Sequence, residues 1–410
     1  MTKLSKKFTV VSGVVFLALA LAAGLSFIPV SVAVDRELHL PAGYSYQIMV
    51  SEGMALPGGG TFGANNDLLA FTPIKQDMTY LTVNHETQPG GMSVLILKKN
   101  AGAWQMVGSR TVDFSSVGGT WNNCAGNPTP WGTVLSAEEY PPNKIEDFGS
   151  NVEALKDKGI SLNPLDYGWI LEVNPLTGRV FKHRAMGRFS HEGAVVMPDR
   201  KTVYMGDDFR GGMIFKFVAD RPADLSDGTL YALDAKNRKW LEIPKDQLEN
   251  ARAAAARLGA TGFDRPEDIE YNPVDGNLYI AETGDSRKQG NDRFGRVLKL
   301  NPSTLEVAVF IQGSLEGIVN PDNLAIEPGT GRIYVHEDRY DEFMAPAKDM
   351  PNNSLWVAEL NGNISRFATM PLGAEVTGGA FAPDGTLFFN VQHPDKPWTS
   401  SVVQVFPPAK

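Results

Sequence analysis

Residues 191–208 read HEGAVVMPDRKTVYMGDD, and this stretch decides the fold. A polar start at His191-Glu192 leads into a short apolar run, then a turn built from Pro198, Asp199 and Arg200. A second apolar run follows and ends on Asp207-Asp208. Two apolar runs flanking such a turn make a β-hairpin. In an antiparallel pair the chain goes out and returns, so the polar start and the acidic end share one rim. The pattern recurs as RPEDIEYNPVDGNLYIAE (265–282), PDNLAIEPGTGRIYVHED (321–338) and EVTGGAFAPDGTLFFNVQ (375–392), with weaker copies over Asn65–Glu86 and Cys124–Glu139.

The second strands end at Glu86, Glu139, Asp208, Glu282, Glu337 and Gln392, spaced by 53, 69, 74, 55 and 55 residues. A period of this size, with several short strands per unit, predicts a β-propeller of about four strands per blade. Candidate outer strands are SVLILKK (93–99), WILEVNP (169–175), GMIFKFV (212–218), RVLKLNP (296–302) and SLWVAEL (354–360). The expected fold is therefore all-β: a six-bladed β-propeller filling residues 34–410 as a single domain. Two stretches break the rhythm. Tyr140–Tyr167 is polar and irregular, and Asp246–Leu258, with Arg252 and Arg257 among its alanines, reads as a helix. Both are expected as short helical or loop insertions over one face, serving as lids or as surface decoration.

Residues 1–33 combine a basic start (Lys3, Lys6, Lys7), a long apolar run from Phe8 to Val30, and small residues at Ser31-Val32-Ala33. This predicts a secretory signal peptide, with an uncleaved N-terminal membrane anchor as the alternative. Ser5-Lys6-Lys7-Phe8 resembles a twin-arginine export signal with lysines in place of the arginines. Export implies a periplasmic or secreted protein, in contact with a membrane only where the segment stays uncleaved. Removing these three lysines and no acids takes the net charge from −9 to −12. Such an acidic chain argues against nucleic acid as a partner and suits one that holds cations.

The rims gather Glu86, Glu138, Glu139, Glu192, Asp207, Asp208, Glu267, Asp268, Glu282, Asp322, Glu337, Asp338 and Glu375. Carboxylates packed this closely repel strongly unless cations, protons or arginines intervene. Glu282, Glu337 and Asp338 serve equally well as strand caps, and Asp275 and Asp384 are turn residues. Glu138-Glu139 has no local turn to serve, so at least one should face inward. The single cysteine, Cys124, excludes an intrachain disulfide. Its small, polar neighbours in Trp121-Asn122-Asn123-Cys124-Ala125-Gly126 suit a site loop better than a core strand. Oxygen donors select calcium, magnesium, manganese or ferric iron, and one thiolate adds a preference for a transition metal. Arg265, two residues before Glu267, is a candidate clamp for a tetrahedral oxyanion; an ion pair with a neighbouring acid is the alternative. Trp131 is expected between blades. His85-Glu86 and His191-Glu192 lack the second histidine of a zinc-protease helix, and no serine elbow, P-loop or dinucleotide fingerprint is present.

The segments FGANNDLLAF, VNHE, WNNCAGNPTPWGTVLSAEEY, YGWILEVNP, GRFSHEGAVV, VYMGDD, DRPEDIEYNP, PDNLAIEP and EVTGGAFAPDGTLFFNVQHP resemble the PhoX-type alkaline phosphatase family, in order and over nearly the whole chain. The resemblance implies a six-bladed propeller with an iron–calcium cluster (Fe3+ and Ca2+) and hydrolysis of phosphate monoesters by an exported enzyme. It implies Cys124 as the iron-binding thiolate, Glu139 or Glu138, Glu192, Glu267 and Glu375 as cluster carboxylates, and Arg265 as the phosphate contact. Asp207, Asp208 and Asp322 complete the expected metal set. The chain is shorter than well-known members, and GDDFRGG lacks the acidic-aromatic stretch usual after the paired aspartates. Two other classes use the same acids: a calcium-dependent propeller lactonase, and a calcium-stabilised extracellular binding propeller. Neither needs iron or Cys124.

Overall fold

The computed structural model describes residues 27–157, 159–285, 288, 290–339 and 351–408. Six antiparallel sheets form the blades of a propeller; five of the six expected hairpins are the first two strands of a blade, and in the sixth, Cys124–Glu139, only the second run is a strand. Blade one runs Asn66–Lys75, Met78–His85, Gly91–Asn100 and Ala103–Thr111. Blade two has Val134–Ala137, Ile170–Val173 and Val180–His183, with an irregular inner segment bridged at Asn123–Glu138 and Pro128–Val134. Blade three is built on His191–Val196 and Thr202–Asp207, blade four on Pro266–Asn272 and Asn277–Glu282, and blade five on Pro321–Ile326 and Ile333–Glu337. Blade six takes Glu375–Phe381, Leu387–Gln392 and Ser401–Phe406 from the end of the chain, and its outermost strand, Ser45–Ser51, from the beginning. The first strands touch their neighbours in a closed circuit of six around the axis.

Strand alternation explains the stacking. Successive side chains on a strand point to opposite faces, and here each face meets another blade. Leu278 and Ile280 pack against Val195 and Tyr204 of blade three, while Tyr279 and Ala281 pack against Leu324 and Val335 of blade five. Equivalent apolar clusters fill the other four blade interfaces. The near-continuous apolar runs of these strands follow from burial on both faces. Trp131 lies in the interface between blades two and three, where its indole Nε1 donates to Glu172 at 2.7 Å. Asp275 and Asp384 cap their turns by accepting from Asn277 N and Thr386 N.

Both insertions are present. The first holds short 3-10 turns and a helix, Val152–Asp157; the second a 3-10 turn, Lys245–Asn250, and a helix, Ala251–Leu258. The expected leader falls outside the described residues as far as position 26. From Phe27 onward the chain packs on blades five and six: the Phe27 ring meets Tyr44 and Phe367, and Val30 N donates to Arg366 O at 3.0 Å. Among the described residues, no helix is long and apolar enough to cross a membrane.

Candidate metal centre and active site

Register sorts the acids. Glu86 N bonds to Asn65 O at 2.8 Å, Glu139 N to Asn122 O at 3.1 Å, Asp208 N to Ser190 O at 2.9 Å, Thr283 N to Arg265 O at 3.1 Å and Asp338 N to Asn320 O at 2.9 Å. Five blades thus share one frame. Two residues after each acceptor come Asp67, Cys124, Glu192, Glu267 and Asp322. In four of the five blades the acceptor is left-handed: Asn65 (φ 46°), Asn122 (φ 37°), Arg265 (φ 61°) and Asn320 (φ 49°). Asparagine tolerates this region better than most residues; for Arg265 it is strain of the kind that gathers at functional sites.

Three groups of ligand atoms result, each with all members within 4.8 Å of one another: Asp67, Cys124 and Glu192; Glu86, Cys124 and Glu139; and Asp322, Asp338 and Glu375. The first two share the buried Cys124 thiol, whose Sγ donates to Glu192 Oε1 at 3.0 Å. Burial, then the carboxylates of Asp67 and Glu192, push that thiol well above its ordinary pKa. Burial likewise raises the carboxyls of Asp67, Glu86, Glu139, Glu192, Asp322 and Glu375, and neighbouring acids raise most of them further. Two ionised carboxylates 4.8 Å apart repel by roughly 3 kcal/mol at an effective dielectric of about 20.

Cations relieve this repulsion, and the donors fit them. Asp67 Oδ1 is buried without a hydrogen-bond partner. The two thiol-sharing groups offer the mixed sulfur and oxygen donors of a transition metal, and the third offers oxygen alone, as calcium prefers.

Arg265 stands beside these groups. Its Nε donates to Asp208 Oδ1 at 2.7 Å, and its Nη2 to Asp208 Oδ2 at 3.1 Å and to the Tyr140 hydroxyl at 3.2 Å. Nη2 also pairs with Glu267 Oε1 at 2.5 Å. Burial alone would raise Asp208, but the guanidinium holds it to about 2, while Asp208 and Glu267 keep Arg265 charged. Arg265, Tyr140, Asp208, Phe209 and Arg210 line a cavity of about 280 Å³.

Of the ligands expected from the sequence, Cys124, Glu139, Glu192, Asp322 and Glu375 fall within the three groups, whereas Asp208 and Glu267 hold Arg265. Glu138 and Asp207 lie elsewhere. Each is the first member of an acidic doublet, so alternation turns it away from its inward-facing neighbour. Glu138 is fully buried, pairs with Lys182 Nζ at 3.0 Å and accepts from Gly168 N and Trp169 N. Asp207 accepts from Arg252 Nε of the second insertion at 2.7 Å. Glu282 with Arg296 and Glu337 with Arg339 occupy the same frame position and are ion pairs. Lys182→Met should strand the Glu138 charge and lower unfolding stability by about 3–5 kcal/mol. Adding Glu138→Gln should recover most of the loss in denaturant melts.

Three residues of this region escape the sequence reading. Asp67 hides in FGANNDLLAF, although Asn65-Asn66-Asp67 has the spacing of Arg265-Pro266-Glu267. Tyr140 and Phe209 each follow an inward-facing acid and carry no signal beyond that adjacency.

The family model described as alkaline phosphatase PhoX matches residues 25–96 and 93–395. No curated protein sequence matches significantly. Among solved structures, Pseudomonas fluorescens PhoX in complex with vanadate, a transition state analogue, is similar at 25% identity and a TM-score of 0.76. That match covers 93% of this chain and 98% of the other. A streptogramin B lyase matches at 12% identity and a TM-score of 0.43, over 88% of this chain and 97% of the other. With a family match over most of its length and a propeller to go with it, this chain belongs to the PhoX family of alkaline phosphatases.

Proposed function

We propose that this chain hydrolyses phosphate monoesters at the channel rim, with ferric iron on the two groups that share Cys124 and calcium on the Asp322–Asp338–Glu375 group. One observation carries the reading: a single buried thiol common to two carboxylate groups, beside a third group of oxygen alone. Vanadate bound to the similar Pseudomonas protein supports a phosphoryl substrate here as well. Ions held there would polarise phosphoryl oxygens and make water a competent nucleophile near neutral pH.

The chain's own residues do the rest. Arg265, fixed by Asp208, Glu267 and Tyr140, presents a charged planar donor to the oxygens over which transition-state charge spreads. Asp208 lies between Arg265 and Glu139, so the phosphate clamp and one thiol-sharing group are positioned by the same carboxylate. No side-chain nucleophile is required. The basic and apolar N-terminal segment supports export, so the enzyme would act in the periplasm or outside the cell.

Metal analysis of the purified protein, with p-nitrophenyl phosphate and a simple lactone as substrates, tests the proposal. Iron together with calcium, and phosphatase activity lost to a calcium chelator, are expected. Calcium alone with lactone turnover would instead establish the lactonase class, and calcium with neither activity the binding propeller.

Chelation should also reverse the effect of pH on stability. The clustered carboxyls have folded-state pKa values above their unfolded ones. In stripped protein their contribution is therefore full below the ordinary carboxylate range and is lost as pH rises through the raised values. Thermal melts should show metal-free protein less stable at pH 8 than at pH 5, with the loaded protein holding its stability at pH 8. Equal melting of loaded and stripped protein at pH 8 would refute a cation role.

A further inference from the structure

A second cavity, of about 420 Å³, opens between the two insertions and shares Tyr140 and Phe209 with the cavity at Arg265. Resting on the phosphatase reading, we propose that this cavity is the leaving-group subsite and selects phosphomonoesters whose alcohol carries a flat aromatic ring, nucleoside monophosphates above all.

The walls make the case. Trp121, Pro141, Pro142 and Phe189 line the cavity with Tyr140 and Phe209. Tyr140 and Phe209 stay 48% and 50% exposed, although each directly follows a buried acid of the site, Glu139 or Asp208. Large exposed rings beside a catalytic cluster are poorly explained by packing and well suited to holding a ligand.

Three of the four charged side chains in the wall are engaged, and the fourth, Glu249, is exposed. The Arg252 guanidinium lies 3.9 Å from the centre of the Phe209 ring and is itself held by Asp207. Arg188 donates to the carbonyls of Tyr167 and Pro142. Asp147 accepts from Asn143 N and Lys144 N. The exposed rings of Tyr140 and Phe209 are thus the aromatic surface offered to a ligand, with polar edges from Gln88, Asn143, Ser190 and Asn250 and one exposed carboxylate, Glu249. A base attached to ribose presents the matching surface: a flat face for the rings and a rim of donors and acceptors for the amides and hydroxyl. Both insertions contribute to the cavity, which gives them a role in substrate choice.

The test compares kcat/KM for AMP and for ribose 5-phosphate. Both release a primary ribose alcohol, so leaving-group chemistry cancels and only the base differs. Base stacking on aromatic side chains predicts a preference for AMP of about tenfold or more. In Phe209→Ala the ratio should fall towards one, and in Phe209→Tyr it should survive. Equal rates on the two esters in the unaltered enzyme would overturn the subsite, and so would a ratio that Phe209→Ala leaves unchanged. Turnover of ribose 5-phosphate reports the phosphatase itself. Its absence, along with that of p-nitrophenyl phosphate turnover, would overturn the underlying reading rather than the subsite alone.

Discussion

Replacing Cys124 by alanine should remove iron from the protein and lower phosphatase activity by about a thousandfold, the upper end of the loss of a principal electrostatic group in an active site. The thiol is common to two ligand groups, so one substitution empties the soft donor from both. Asp67, Glu192, Glu86 and Glu139 would then face one another with oxygen ligands only, a set better suited to calcium. Serine in place of Cys124 keeps the size but is far harder to deprotonate, and should restore little. Iron stoichiometry measured beside kcat distinguishes this role from simple packing. A buried small hydrophobe replaced by alanine would leave both unchanged, and that outcome would remove Cys124 from the centre.

Arg265→Ala should have the second-largest effect, through two separate routes. The guanidinium neutralises Asp208 and Glu267, both buried, and losing one partner of a buried pair costs about 3–5 kcal/mol. It also offers donors to the phosphoryl oxygens, and loss of such a group lowers kcat by about a hundredfold to a thousandfold. Arg265→Lys separates the routes. It keeps a positive charge and so most of the stability, but lacks the planar fork that meets Asp208 with two bonds. Near-normal melting with a large fall in kcat is expected of the lysine variant. Normal kcat in Arg265→Lys would confine Arg265 to a charge-balancing part.

The sequence makes the propeller legible because its signal is repeated. Apolar runs and turn residues recur six times, five of them closing on an acid, and five of the six hairpins form where their turns predict them. The site is legible less evenly. Cys124, Glu139, Glu192, Asp322 and Glu375 stand out as chemistry at a rim, and they meet. Glu138 and Asp207 look identical to their neighbours in a string of letters. Only the strand register shows that one member of each doublet faces the channel while the other meets Lys182 or Arg252. Asp67 is obscured for a related reason: two asparagines before it disguise a rim position as the start of an apolar strand. The cavity between the insertions cannot be anticipated at all, because Trp121, Phe189 and Phe209 come from three loops whose approach depends on the stacking of the blades.

The last sheet joins the chain's two ends, for Ser45–Ser51 completes it alongside Ser401–Phe406. A nascent polypeptide therefore carries only an open arc of blades until Ser401–Phe406 has emerged, and the circle cannot be latched before then. Any cations that these acids hold would therefore be bound last, once that strand pairing has closed the circle. Their identity would then follow from the ions available where the circle closes.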